Sequence, residues 1–363
     1  MALALALGRR GLGRTWPNPS VGAVIVRDDG AGPVIVGRGW TQAGGRPHAE
    51  VEALRRAGAA ARGATLYVTL EPCSHHGKTP PCVDAIIAAG IAGVVSALVD
   101  PNPEVAGAGH WRLAKAGITV EVGLGADEAK HAHAGHIRRI SDGRPYLILK
   151  LAVSADGKAG LADRRPAAIT GEPAWARVHL MRSMSDAVLT GIGTALADDP
   201  LLTCRLPGMA SRSPVRIVLD SRLRLPLESR LVASARETPL WIVSGEAAPI
   251  QREQALTARG AEVLRVASAA AAGLDLPAAL RRLAERGITR LMVEAGPILA
   301  AALLRADLVD EAVLLRSPNA IGAEGVDALE GLPLEALTGS ARLALVGSEA
   351  VGVDTVETYE RPN

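Results

Sequence analysis

Three metal-binding side chains and one carboxylate stand out in the first third of the chain. His48 opens the run His48-Ala49-Glu50, and Cys73 and Cys82 follow, each directly after a proline. Zinc prefers imidazole and thiolate ligands, and a catalytic zinc site keeps one position for water. In this interpretation Glu50 is not a ligand, because its carboxylate takes a proton from the water and passes it to a leaving group. The pattern therefore predicts a catalytic zinc site.

The pattern is close to the zinc deaminase signature, His-x-Glu followed by Pro-Cys-x-x-Cys. It departs from that signature because eight residues separate Cys73 from Cys82. Pro80 and Pro81 favour a helix that begins at Cys82, and helix N-termini lower the pKa of thiols. The alternative is a surface histidine with two unrelated buried cysteines. A purely structural zinc site needs four protein ligands, and only three present themselves.

Other histidines offer further interpretations. His75 and His76 lie between the two cysteines, and we expect them to line the pocket or face solvent. His131, His133 and His136 form a second group in a segment rich in charged residues, which is typical of a solvated helix. An incidental metal site in that segment is the alternative.

The composition excludes several classes of protein. The chain has 363 residues, a net charge of +2, and only five Trp and three Tyr as aromatic residues. This near-neutral balance argues against nucleic-acid binding, including a deaminase that acts on a flipped-out base. No apolar stretch approaches the ~20 residues that span a bilayer. Three cysteines argue against a disulfide framework, so the cytoplasm is the expected location.

The elements that position these residues alternate between strands and helices, which predicts α/β layers. In the first part we predict a hairpin at residues 21–26 and 33–40, strands at 65–70, 93–99 and 118–122, and helices at 49–61, 83–89, 105–116 and 127–140. The breaker run Ser141-Asp142-Gly143-Arg144-Pro145 then predicts a boundary between domains 1–143 and 144–363.

The second part alternates again without repeating the first. Predicted strands cover residues 146–151, 187–190, 215–219, 240–243, 290–293 and 311–315, and predicted helices cover 173–184, 276–286 and 297–305. Gly191-Ile192-Gly193 lacks the third glycine of a Rossmann fingerprint, so we predict no Rossmann fold. The turn before Pro297 opens a helix whose free N–H groups suit a phosphate. Cys204 is interpreted as a small core or loop residue.

Several runs of residues match one known family, and they are Pro17-Asn18-Pro19-Ser20-Val21-Gly22, Pro47-His48-Ala49-Glu50-Val51, residues 68–82, Asp100-Pro101-Asn102-Pro103, Asp156-Gly157-Lys158, residues 190–200, Leu202-Thr203-Cys204-Arg205, Asp220-Ser221 and residues 293–297. Through these runs the chain resembles the bifunctional deaminase–reductase family of bacterial riboflavin biosynthesis. The long cysteine spacing is typical of this family. The resemblance implies a cytidine-deaminase-like three-layer α/β/α domain followed by a dihydrofolate-reductase-like α/β domain.

For the first domain, the resemblance implies zinc-dependent deamination of a phosphoribosylated diaminopyrimidine. His48, Cys73 and Cys82 would hold the metal, and Glu50 would move the protons. The substrate-binding residues implied by position are Asn18, which would hydrogen-bond the pyrimidine, and His75 and Lys78, which would meet the ribose phosphate.

For the second domain, the resemblance implies reduction of the ribosyl group to ribityl with NADPH. The residues that would contact NADPH are Thr194, Asp198, Ser221, Gly296 and Pro297, within a turn that extends to Ala302. The residues that would contact the substrate are Arg182, Leu202, Arg205 and Glu294, and we expect the two arginines to clamp its phosphate in bidentate fashion. Lys150 and Asp198 are the candidates for acid–base catalysis.

One departure from the family concerns the reductase. The family usually carries Ser and Trp where this chain has Pro166 and Ala168. Their loss predicts weaker NADPH binding or an altered pocket. It motivates an alternative: a deaminase whose second domain is a structural or oligomerisation module. The expected partners are a small-molecule substrate and further copies of the chain in a homo-oligomer, with no nucleic acid and no membrane.

Overall fold

A computed structural model describes residues 1–77, 79–162, 168–267 and 273–362. They form two compact units, Met1–Gly143 and Arg144–Asn363. The helices of the first unit are α1 (Ala2–Arg9), α2 (Ala49–Ala57), α3 (Cys82–Ala88), α4 (Ala108–Lys115), α5 (Ala126–Ala132) and α6 (Ala134–Asp142). Its strands are β1 (Gly22–Asp28), β2 (Pro33–Trp40), β3 (Thr65–Val68), β4 (Gly93–Ser96) and β5 (Thr119–Val122).

These strands form one sheet in the order β2-β1-β3-β4-β5, antiparallel from β2 to β3 and parallel from β3 to β5. Side chains alternate across it. Ala23 and Ile25 of β1 pack with α2, α3 and α4, whereas Val24 packs with α1 on the other face. The result is three α/β/α layers.

Glycine permits the close approach of α2 to β2. A Cβ atom on Gly39 would lie 2.1 Å from the Ala49 carbonyl oxygen and 2.6 Å from the Ala53 nitrogen. No real side chain fits there, so α2 lies directly on the strand. Gly39 pairs with Ala23, which pairs with Val68, so this contact places His48 and Glu50 near the start of β1 and the carboxyl end of β3.

The second unit contains the strands β6 (Tyr146–Val153), β7 (Lys158–Gly160), β8 (Ala187–Gly191), β9 (Val215–Leu219), β10 (Leu240–Gly245), β11 (Glu262–Val266), β12 (Arg290–Glu294), β13 (Glu311–Arg316), β14 (Val326–Asp327), β15 (Ala344–Val351) and β16 (Asp354–Glu360). Its helices are α7 (Glu172–Ser183), α8 (Ile192–Asp198), α9 (Arg230–Ala233), α10 (Ile250–Ala258), α11 (Leu276–Glu285), α12 (Pro297–Arg305) and α13 (Glu335–Thr338). Nine strands form one sheet in the order β11-β10-β9-β8-β12-β6-β13-β16-β15, parallel from β11 to β13.

Most predicted elements are present within a few residues, and the hairpin of β1 and β2 is confirmed. The predicted helix at 49–61 ends as an α-helix at Ala57, because Gly58 adopts a φ of +53°. The predicted helix at 127–140 is two helices, α5 and α6, which meet at His133. Sequence reasoning missed α8, α10, β11 and the β15–β16 hairpin, as well as the short elements β7, β14, α9 and α13. No helix within the described ranges is long and apolar enough to cross a membrane.

Candidate functional site

The three predicted zinc ligands converge. His48 immediately precedes α2, Cys73 lies in the loop after β3, and Cys82 opens α3. Their ligand atoms all lie within 4.8 Å of one another. His48 Nδ1 is 3.3 Å from Cys82 Sγ and 3.6 Å from Cys73 Sγ, so Nδ1 is the nitrogen that faces the metal position.

This donor set fits zinc. One imidazole and two sulfurs leave one tetrahedral position for water, and no fourth His, Cys, Asp or Glu joins the group among the described residues. Hydrogen bonding from Cys82, reinforced by His48, lowers the pKa of Cys73 to about 4. That sulfur is therefore a thiolate at neutral pH, which is the form that binds a metal.

Glu50 lies in the first turn of α2, and only 3% of its surface is exposed. Burial raises the pKa of Glu50 above its ordinary value, although the nearby His48 opposes the shift. A carboxyl group whose pKa moves toward neutrality both accepts and returns a proton readily. The environment of Glu50 therefore suits general acid–base work.

The predicted substrate-binding residues of this unit have different positions. The Asn18 side-chain nitrogen donates to the Gly45 carbonyl at 2.9 Å and lies 3.4 Å from His48 Nε2. Asn18 thus lies beside the metal-binding imidazole, at the ring nitrogen that faces away from the metal position. His75 and His76 are exposed, which agrees with the expectation for them. Lys78 lies outside the described residues.

Glu71 is a site residue that sequence reasoning missed. Its buried carboxylate accepts backbone N–H groups from Asp100 at 3.1 Å, Gly107 at 2.9 Å, Gly109 at 2.9 Å and His110 at 3.2 Å. Because Glu71 is two residues before Cys73, these bonds tie the ligand loop to the start of α4. The only signal in the sequence is a carboxylate beside Pro72-Cys73.

The interpretation of the second histidine group as a solvated helix is wrong for two of its members. His133 and His136 are 2% and 8% exposed, whereas His131 faces solvent. His133 Nε2 lies 3.0 Å from Thr69 Oγ1, and His136 Nε2 lies 2.9 Å from Asp100 Oδ1. Burial lowers the pKa of His133 to about 4. Both imidazoles hold α6 against polar groups at the sheet edge.

The buried His133 predicts that acid destabilises the first unit. Between its ordinary pKa of 6.5 and its folded value of about 4, the unfolded chain binds a proton that the folded chain excludes. The free energy of unfolding should therefore decrease as the pH is lowered, by about 3 kcal/mol across that window. We expect His133→Asn to flatten this dependence in urea unfolding experiments, because the amide does not titrate.

His131→Asn is the matched control, since it removes an exposed histidine from the same segment. It should leave the pH dependence of the wild type unchanged. A His133→Asn variant that loses stability in parallel with the wild type across the window would show that His133 does not carry the effect.

In the second unit, polar residues gather where parallel strands end. Lys150 of β6 and Glu294 of β12 are register partners, and Thr190 of β8 donates to the Glu294 carbonyl at 2.8 Å. Burial lowers the pKa of Lys150, while Glu294 opposes the shift. In open α/β sheets, ligands bind beyond the carboxyl ends of the strands.

The guanidinium of Arg182, expected to clamp a substrate phosphate, has protein partners on both edges. Arg182 Nε and Nη2 donate to the two carboxylate oxygens of Glu294 at 2.5 and 2.8 Å, and Nη1 donates to the Thr203 carbonyl at 3.0 Å. The bidentate edge of Arg182 is therefore occupied by Glu294, 112 residues away. Burial would raise the pKa of Glu294, but Arg182 outweighs it and lowers that pKa.

The remaining predicted reductase residues line this end of the sheet or flank it. Gly296 N donates to Thr194 Oγ1 at 3.0 Å, immediately before Pro297 opens α12. Leu202 is buried at a φ of +54°, and Arg205 is exposed. Further positions are as follows: Asp198 is exposed at the end of α8, Ser221 follows β9, Cys204 is buried as predicted, Ala168 is exposed, and Pro166 lies outside the described residues.

Comparison with known proteins assigns a family to each unit. The family model of the cytidine and deoxycytidylate deaminase zinc-binding region matches residues 1–98, and that of the RibD C-terminal domain matches residues 145–356. The first unit has a cytidine-deaminase-like fold, and the second has the fold of the RibD C-terminal domain. The class is therefore a zinc-dependent deaminase joined to a reductase.

Relatives that match nearly the whole chain identify the family within this class. The chain is 45% identical to riboflavin biosynthesis protein RibD of Escherichia coli, over 92% of this chain and 91% of that protein. It is 38% identical to RibD of Aquifex aeolicus, over 99% and 97%. Its fold matches Acinetobacter baumannii RibD with a TM-score of 0.86 and 36% identity, over 99% and 97% of the two chains. The chain belongs to the RibD family, the bifunctional deaminase–reductases of riboflavin biosynthesis.

A further solved relative, from Thermotoga maritima, is described as a diaminohydroxyphosphoribosylaminopyrimidine deaminase/5-amino-6-(5-phosphoribosylamino)uracil reductase. It has a TM-score of 0.84 and 34% identity, over 100% of this chain and 97% of that one. Both units of the present chain thus have counterparts in one polypeptide.

Proposed function

We propose that residues 1–143 hydrolytically deaminate 2,5-diamino-6-(5-phosphoribosylamino)pyrimidin-4-one and that residues 144–363 reduce the ribosyl group of the product to ribityl with NADPH. The observation that carries the proposal is the convergence of His48, Cys73 and Cys82 within 4.8 Å, next to the buried Glu50. The description of the Thermotoga maritima relative supports these two substrates. The deaminase-only alternative is not favoured, because the match to the RibD C-terminal domain covers residues 145–356.

In the deaminase, His48, Cys73 and Cys82 would hold zinc, which would supply the Lewis acid that makes water a nucleophile at neutral pH. Glu50 would accept a proton from the attacking water and donate it to the amino group as the C–N bond breaks, so that ammonia leaves and the ring carbon becomes a carbonyl. Burial supports this role because it raises the pKa of Glu50 and excludes competing solvent. Asn18, 3.4 Å from His48 Nε2, orients the pyrimidine. His75 and Lys78 complete the substrate contacts.

We expect Glu50→Gln to retain zinc and to lose deamination by about 10²- to 10⁴-fold, the usual contribution of a positioned general base. The amide keeps the size of the side chain but does not accept the proton. Zinc content by mass spectrometry and release of ammonia are the two measurements. Cys82→Ser is the matched control, and it should lose metal and activity together. Normal deamination by Glu50→Gln would remove the proton-transfer role.

In the reductase, NADPH supplies the hydride. Lys150 donates the accompanying proton, which its lowered pKa supports. Asp198 is exposed and is the weaker candidate. Arg182 keeps Glu294 ionised and oriented toward the substrate, while Leu202 and Arg205 form the adjoining wall. Thr194, Gly296 and Pro297 present the start of α12 to the cofactor, since backbone N–H groups at a helix start bind phosphate.

We expect the purified protein to oxidise NADPH when given the deaminated intermediate. Lys150→Met should abolish NADPH oxidation and still bind NADPH, because it removes the proton donor and keeps the length of the side chain. NADPH oxidation is measured by the absorbance of NADPH, and NADPH binding is measured by the fluorescence of the bound nucleotide. Accumulation of deaminated product without NADPH oxidation by the wild type would restore the deaminase-only alternative.

The proposal includes a homo-oligomer in the cytoplasm. Support for an oligomer comes from β15, an exposed strand at the edge of the sheet that carries Leu345 and Val346, each 56% exposed. Such edges are usually protected by pairing or by charge. Support for the cytoplasm comes from three cysteines that form no disulfide. Light scattering should give more than one chain per particle, and a monomer at micromolar concentration would contradict the assembly.

A further inference from the structure

Helix α4 is fixed beside the loop that carries Cys73. Glu71 accepts the backbone N–H groups of Gly109 and His110 in the first turn of α4, at 2.9 and 3.2 Å. His110 Nε2 also lies 2.7 Å from the Oγ of Ser96, which is fully buried at the carboxyl end of β4. A side chain that follows these residues on α4 therefore starts from a fixed point.

Arg112 is such a side chain, and it reaches two segments at once. Its Nη1 donates to the Ser74 carbonyl at 2.8 Å, one residue after Cys73. Its Nη2 donates to Asp84 Oδ1 at 2.5 Å, in the first turn of α3, which begins at Cys82. One planar guanidinium thus joins the two segments that carry the sulfur ligands.

Inside the site the two cysteines have a direct connection. The Cys82 backbone N–H donates to Cys73 Sγ at 3.3 Å, and the Val83 N–H donates to the Cys73 carbonyl at 3.3 Å. The second bond is longer than an ordinary N–H···O bond. Arg112 adds a connection from outside the site, and groups that hold metal ligands in place from outside tune the affinity for the metal.

The alternative interpretation is an ordinary surface ion pair. The side chains of Arg112 and Asp84 are 34% and 41% exposed, and such a pair contributes little to the free energy of unfolding. The bond to the Ser74 carbonyl distinguishes this pair, because it fixes the main chain directly next to a ligand. The same carbonyl directly precedes His75, the proposed contact for the ribose phosphate.

We propose that Arg112 is a positioning residue of the deaminase: it holds the segments of Cys73 and Cys82 at the spacing that zinc requires and thereby strengthens zinc binding. Asp84 orients the guanidinium from the side of α3. Arg112 acts through the main chain and does not touch the reacting atoms. This inference rests on the proposed zinc-binding role of His48, Cys73 and Cys82.

The test is competition for zinc between the full-length protein and a chromogenic pyridylazo chelator. Arg112→Met keeps the length of the side chain and removes both donors, so zinc affinity should fall by about 10- to 100-fold. Arg112→Lys keeps the charge, but its single nitrogen does not serve two separated acceptors, so its affinity should stay within about threefold of Arg112→Met. Asp84→Ala should weaken zinc binding less, and the double variant should match Arg112→Met, since both changes remove one connection.

A kinetic readout separates positioning from a general loss of structure. With zinc in excess, we expect Arg112→Met to raise the KM for the deaminase substrate several-fold and to leave kcat nearly unchanged, because Ser74 also supports His75. A purely structural loss would lower kcat with the fraction of folded protein and leave KM as in the wild type.

Arg138→Met is the matched control. Arg138 and Asp142 form a second arginine–aspartate pair of the same unit, at 2.6 Å, with side chains 27% and 38% exposed. Both residues lie on α6, away from the cysteine-bearing segments. This variant should bind zinc as tightly as the wild type.

Two results would overturn the inference alone. One is an Arg112→Met variant that binds zinc as tightly as the wild type. The other is full recovery by Arg112→Lys, which would show that charge without the two-sided contact is sufficient. If Arg112→Met does not fold, wild-type zinc affinity in Asp84→Ala would overturn the inference instead. A wild-type protein that retains no zinc would overturn the proposed ligand set itself, so the two failures are distinguishable.

Discussion

The approach of one imidazole and two sulfurs to within 4.8 Å is the constraint on which the first unit depends. The three ligands come from elements that only tertiary packing brings together. Gly39 lets α2 lie on β2, so that His48 reaches the sheet edge. Glu71 accepts hydrogen bonds from four backbone N–H groups and thereby fixes the loop that carries Cys73. Without a bound cation, two sulfurs this close to a buried carboxylate are electrostatically unfavourable, so metal binding and folding of the site are coupled.

The second unit relies on a different interaction. The Arg182–Glu294 pair is almost fully buried and joins α7 to the end of β12. Breaking such a pair leaves an uncompensated charge, which is costly. The pair therefore maintains an ionised carboxylate close to Lys150, whose own charge is disfavoured by burial. The two units thus treat their buried carboxyl groups in opposite ways: burial raises the pKa of Glu50, whereas Arg182 lowers the pKa of Glu294.

Local signals were enough to predict much of this protein. The β1–β2 hairpin follows from alternation around Asp28-Asp29-Gly30, and the zinc centre follows from residue types and spacing that suit one metal. The errors arise where distant contacts decide. The charges near His133 and His136 indicate a solvated helix, but the two imidazoles lie within hydrogen-bonding distance of Thr69 and Asp100, which are remote in sequence. The partner of Arg182 is equally remote in sequence. Sequence reasoning missed β15 because this strand is exposed on both faces and shows no alternation of burial.

X-ray absorption at the zinc K edge of the purified protein tests the central claim most directly, because it reports the ligands themselves. The account predicts one zinc per chain with two sulfur ligands at about 2.3 Å and two nitrogen or oxygen ligands at about 2.0 Å. The light atoms would be His48 Nδ1 and a water. A shell with three or four sulfur ligands, a shell without sulfur, or a protein that retains no zinc would contradict it.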